Sequence, residues 1–182
     1  MQSYELELKQ SVDYPRCRIY RGFIQNLMAD RNIRVNGDNY LFYFTVLCSY
    51  ANFRTSYRCL DGITYTIYPG EWVFRLTELK EYLRVHSRQR LFDILADLYN
   101  RGLIRYSLLG HDHIVKCTIR GWARFNKILD YNCPCQKNSG FFFLPISIAS
   151  ELISAGRCSE MDIILDLWFS AVYNDERVIG SE

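Results

Sequence analysis

The sequence predicts an α+β fold, mainly α, and three observations carry that expectation. Apolar residues recur at helical spacing in several segments, two of these segments meet across the short connection Val85-His86, and runs of alternating β-branched and polar residues flank the pair. Composition agrees with a packed chain: 182 residues with 49% hydrophobic, 23% charged, four Pro and ten Gly exclude disordered, collagen-like and low-complexity classes. At this length folding hides roughly 70% of the unfolded surface, enough for one sizeable core or two small ones. The 14 Tyr, 11 Phe and 3 Trp favour a compact interior with hydroxyls at its margin.

In chain order, Cys17 to Asp30 places Ile19, Phe23, Ile24, Leu27 and Met28 on one helical face after Pro15, so a first helix is expected there. The turn cluster Asn36-Gly37-Asp38-Asn39 precedes Tyr40 to Phe53, which is apolar nearly all round and reads as a buried second helix. Ile63 to Ile67 alternates, Pro69-Gly70 turns the chain, and Glu71 to Leu76 supplies a second extended run, the pattern of a hairpin. Thr77 is the expected N-cap of a short helix with Glu78 and Glu81 in its first turn. Ser87 caps the next helix, in which Leu91, Ile94, Leu95 and Leu98 fall at i, i+3, i+4 and i+7 before Gly102 stops it. Leu103 to Leu108 and Ile114 to Ile119 then form a second hairpin around Leu109 to His113. Beyond a polar linker, residues 128–140, come the run Phe141 to Leu144, a helix near Ser147 to Ser154, and a stronger helix whose Ser159 and Asp162 form a capping box.

Charge is distributed unevenly. Residues 68–126 carry ten basic and six acidic side chains, whereas residues 127–182 carry four and eight, so an anionic partner suits the middle and a different role the tail. The longest uncharged apolar-rich run, Asn39 to Phe53, has 15 residues, short of the roughly 20 a spanning helix needs. No membrane partner is expected. The first ten residues lack a secretory pattern, and seven irregularly spaced Cys fit a reducing compartment, so the expected location is cytoplasmic.

The order from residue 40 to 122 is helix, strand, helix, tight turn, helix, strand, loop, strand, the arrangement of a winged helix-turn-helix. Pro69-Gly70-Glu71-Trp72-Val73-Phe74-Arg75-Leu76-Thr77-Glu78-Leu79, followed by Leu83, Ser87, Leu95, Leu98 and Gly102-Leu103-Ile104, resembles replisome-organiser and DnaD-like replication proteins, as does Ala51-Asn52-Phe53 at the end of a hydrophobic helix. Phe142-Phe143-Leu144-Pro145 and Ser159-Glu160-Met161-Asp162 resemble the opening of plasmid replication initiator N-terminal domains. The resemblance implies a winged helix-turn-helix with an N-terminal helical extension and a C-terminal helical unit. It divides the chain into a winged-helix domain at 1–127 and the start of a second, incomplete module at 141–182. The implied function is that of a DNA-binding replication initiator or regulator of a bacterial plasmid or mobile element.

In such a protein the helix beginning at Arg88 enters the major groove of double-stranded DNA. Gln89 and Asn100 suit adenine edges, Arg88 and Arg90 suit phosphate or guanine, and the helix start at Ser87 suits phosphate. Arg105, His111 and Lys116 are the expected wing contacts. Asp93 and Asp97 weigh against this assignment, because carboxylates on the same face repel phosphates. A solvated helix face with ordinary wing charges is the plainer alternative. The rival function is a winged-helix protein-interaction or dimerisation module without DNA contact, anchored on Trp72, Tyr82, Trp122 or Trp168, and the tail offers a homodimer or replication-protein contact through residues 141–182. No catalytic motif is present, so no enzyme and no cofactor is expected. Cys133-Pro134-Cys135 with Cys158 has the wrong spacing for a zinc knuckle, so no metal is expected either.

Overall fold

A computed structural model describes residues 16–35, 37–126, 140–154 and 159–179. In chain order the elements are β1 (Arg16–Tyr20), α1 (Arg21–Ala29), α2 (Tyr40–Tyr50), β2 (Ser56–Leu60), β3 (Ile63–Ile67), β4 (Glu71–Arg75), α3 (Leu76–Tyr82), α4 (Arg88–Asn100), β5 (Ile104–Leu109), β6 (Ile114–Ile119), α5 (Trp122–Phe125), β7 (Phe141–Pro145), α6 (Ile146–Ser154) and α7 (Glu160–Ile179). The fold is a small mixed α and β architecture with antiparallel sheets ordered β1-β7, β2-β3 and β4-β6-β5. Among the described residues no helix is long and apolar enough to cross a membrane.

Local sequence accounts for α3 and α4. Ser87 Oγ accepts the Arg90 N–H at 3.0 Å, and Leu91, Ile94, Leu95 and Leu98 are fully buried, as their spacing predicts. At the far end the Leu103 N–H reaches the Leu98 carbonyl and the Gly102 N–H the Tyr99 carbonyl, a Schellman closure that requires the positive φ of Gly102. α3 begins two residues earlier than expected: Arg75, not Thr77, flanks its start, because the Glu78 carboxylate reaches back to the Arg75 N–H at 3.1 Å. That carboxylate also receives the Arg58 guanidinium at 2.8 Å, tying the helix start to β2. α3 closes in the same manner as α4, with Val85 N–H on Lys80 and Arg84 in the left-handed region, so a short turn separates the two helices.

The first hairpin differs from expectation. β3 pairs with β2 around Asp61-Gly62, both at positive φ, whereas β4 pairs with β6 from Glu71↔Thr118 to Arg75↔Ile114. Pro69-Gly70 therefore redirects the chain between sheets instead of closing a hairpin. Gly70 lies so near Trp122 that a Cβ there would sit 2.8 Å from the tryptophan Cβ, and its N–H and carbonyl bond Asn52 and Ile119. The second hairpin, β5 and β6, is as expected.

Two further findings concern the ends of the described chain. The helix expected from Cys17 starts only at Arg21, because Arg16–Tyr20 extends to pair with Phe141–Pro145. The segment from Phe141, expected to open a second module, packs on the same core: Phe142, Leu144, Leu152, Met161, Leu165 and Phe169 join the buried cluster that holds α2 and α4, and Trp168 stacks on Phe23 at 4.3 Å. The linker at 128–140 lies outside the described residues except Gly140, whose carbonyl accepts the Arg21 N–H.

α2 lies at the centre, with every residue from Tyr40 to Ser49 buried. Its own N-cap residue, Asn39, makes no side-chain capping bond. The cap comes from α7: Asp162 Oδ1 accepts the Phe42 N–H at 3.0 Å and Oδ2 the Leu41 N–H at 3.3 Å. The expected capping box at Ser159 is thus half present. The Asp162 N–H faces Ser159 Oγ at 3.5 Å, but the carboxylate serves the start of another helix. Burial outweighs these two N–H bonds and pushes the Asp162 carboxyl up to about 6.

Candidate nucleic-acid interface

The start of α4 and the turn between β5 and β6 meet at one place. Arg88 Nη2 lies 3.4 Å from the Asp112 carbonyl it donates to, and the guanidinium lies over the Phe92 ring, 5.3 Å from its centroid. His111 and Asp112 occupy the turn in the left-handed region, and both are exposed. Ser87, Arg88 and Gln89 are exposed, with Arg90 partly so. The structure therefore brings Ser87, Arg88, Gln89, Arg90 and His111 to one end of the molecule. The Ser87 hydroxyl oxygen is engaged by the helix it caps, so its first role is structural.

Three expected residues stand apart from this group. Asn100 is exposed at the opposite end of α4, roughly 18 Å along the axis from Arg88 at 1.5 Å per residue. Arg105 is exposed at the base of the hairpin, opposite Thr118, away from the turn. Lys116 is drawn to Glu71 at 3.2 Å, with the Tyr68 ring beyond it, so its charge is locally balanced. Strand alternation alone does not reveal that carboxylate, because β4 and β6 are far apart in sequence.

Carboxylates also hold the polar residues at the start of α4. Gln89 Nε2 donates to Asp93 at 2.9 Å, one turn onward, and Arg90 Nη2 donates to Asp38 at 3.3 Å, with the two charged side chains about 40% and 48% exposed. Farther along α4, Asp97 accepts the Tyr40 hydroxyl, and Arg101 lies over the Tyr40 ring at 4.9 Å. Burial, then the Asp97 hydrogen bond, push the Tyr40 hydroxyl up to about 12, so it remains a donor at neutral pH. The Gln89–Asp93 contact has i, i+4 spacing and is visible in the sequence. The Arg90–Asp38 pair joins residues 52 positions apart and leaves no sequence signal.

Among the described residues no group of three His, Cys, Asp or Glu is placed to hold a metal ion. Cys133, Cys135 and Cys158 lie outside the described residues. Trp72 and Tyr82 pack with Tyr50 and Phe74, and Trp122 stacks on Phe142, so these rings are occupied inside the fold. No protein-family model, characterised protein or solved structure matches the chain.

Proposed function

We propose that residues 40–122 are a winged helix-turn-helix that binds double-stranded DNA, with the start of α4 in the major groove and the β5-β6 turn against the backbone. The element order α2, the β2-β3 hairpin, β4, α3, α4, β5, β6 with strand order β4-β6-β5 supports the winged arrangement, and the bonded α3-α4 turn supports the helix pair. One observation carries the reading: Arg88 bonds the Asp112 carbonyl, so a basic helix start and the hairpin turn form one continuous exposed surface. The net positive charge of residues 68–126 supplies the long-range attraction to phosphate. Resemblance to replisome-organiser and plasmid-initiator proteins extends the proposal to replication or regulation of a bacterial mobile element, which would take place in the cytoplasm.

Arg88→Ala combined with Arg90→Ala removes both cations at the helix start. The variant is expected to bind duplex DNA at least about tenfold more weakly, since each lost charge or base contact is worth roughly 1 kcal/mol or more. Electrophoretic mobility shift at fixed salt reads the loss. Unchanged affinity would remove α4 from the interface.

A protein contact through α7 is a second, compatible reading. Ile163 and Leu167 lie one turn apart and are 49% and 64% exposed, a small apolar stripe beside the exposed carboxylate of Glu160. This surface suits a second copy or a replication protein rather than DNA.

A further inference from the structure

Arg90, the α4 cation closest to the body of the protein, is already engaged by a carboxylate. Asp38 holds it at 3.3 Å from the loop that precedes α2. Described residues near it are bonded at several points: the Arg34 N–H donates to Glu160 of α7 at 3.0 Å, the Asn39 side-chain amide donates to the Gly37 carbonyl, and the Leu41 and Phe42 N–H groups at the start of α2 end on Asp162. Asp38 thus stands between Gly37 and Asn39, which bond each other, beside an anchored helix start. The pair is also open to solvent, which keeps it weak enough to be exchanged.

Any duplex that engages Arg90 must displace Asp38 and then tolerate the carboxylate left beside its phosphates. A phosphate replaces one anion by another and gains little. A guanine edge, which takes a guanidinium through two acceptors, returns more than the pair gives up. We propose that Asp38 is a specificity-determining residue, holding Arg90 in the free protein and suppressing sequence-independent binding to duplex DNA. This inference rests on the duplex-binding reading above. Asp38 acts through Arg90 and is a positioning residue.

The test titrates a short duplex of randomised sequence against the full chain over a range of salt, for wild type, Asp38→Asn, Arg90→Ala and the double variant. Asp38→Asn is expected to bind the randomised duplex about fivefold tighter, the size of an exposed ion pair converted to affinity. Its salt dependence is expected to steepen by up to about one counterion. The gain is expected to vanish in the Arg90→Ala background, a coupling that a merely structural role for Asp38 does not produce. Equal or weaker binding by Asp38→Asn, or a gain that survives without Arg90, overturns the proposal. If the wild type binds with steep salt dependence and Asp38→Asn changes nothing, the specificity role alone falls. If neither wild type nor any variant binds at low salt, the duplex-binding reading falls and takes this proposal with it.

Discussion

Replacing Leu95 by Ala is expected to destabilise the chain by roughly 2–5 kcal/mol, because the removed methyl groups leave a cavity that the surrounding helices fill only in part. Leu95 is fully buried on the inner face of α4, in the cluster shared by α2, the β5-β6 hairpin and the segment after residue 140. Since that cluster is continuous, the loss is expected in a single unfolding transition rather than in one half of the protein. Urea denaturation followed by far-ultraviolet circular dichroism reads it directly. Leu95→Met, which conserves volume, is expected to cost less than about 1.5 kcal/mol, so comparable losses in the two variants would contradict the packing described.

Asp162 carries the second large effect, and its sign is set by burial. The folded carboxyl titrates at about 6 against an ordinary value of 3.8, so it binds a proton more readily in the folded state than in the unfolded one. Its contribution to stability is fully present below about pH 4 and is lost as pH rises through about 6. A displacement of that size corresponds to about 3 kcal/mol. Asp162→Asn removes the titration. The difference in unfolding free energy between wild type and variant is therefore expected to move by about that amount between pH 4 and pH 8, favouring wild type on the acid side. Asp162→Ala removes the cap as well as the charge and strands the Leu41 and Phe42 N–H groups at the buried start of α2. It is expected to be the less stable of the two variants at every pH. A pH-independent difference between wild type and Asp162→Asn would show that burial does not outweigh the two N–H bonds at this carboxylate.

The residues themselves explain why some of this architecture is readable in advance. α4 is legible because its cap, its apolar stripe and its glycine stop all act within one helix. The β5-β6 hairpin is legible for the same local reason. β1 is not, since Arg16–Tyr20 also fits a helical pattern and becomes a strand only by pairing with Phe141–Pro145 at the other end of the chain. β2 is hidden because exposed Tyr57 and Cys59 give it no apolar face to recognise. At the candidate interface, the sequence identifies the basic start of α4 but not the partners that balance it. Glu71 on Lys116 and Asp38 on Arg90 come from other elements, and only the folded chain sets them side by side.

Duplex binding measured as a function of salt tests the central proposal most directly. Wild type is expected to bind at low salt and to weaken steeply as salt rises, because phosphate contacts release counterions. Arg88→Ala with Arg90→Ala is expected to bind more weakly and to lower the slope by about one, the share of Arg88, since Asp38 already balances Arg90 in the wild type. No binding at low salt, or binding whose salt dependence is flat and indifferent to both arginines, would contradict a DNA-binding role for this face of α4.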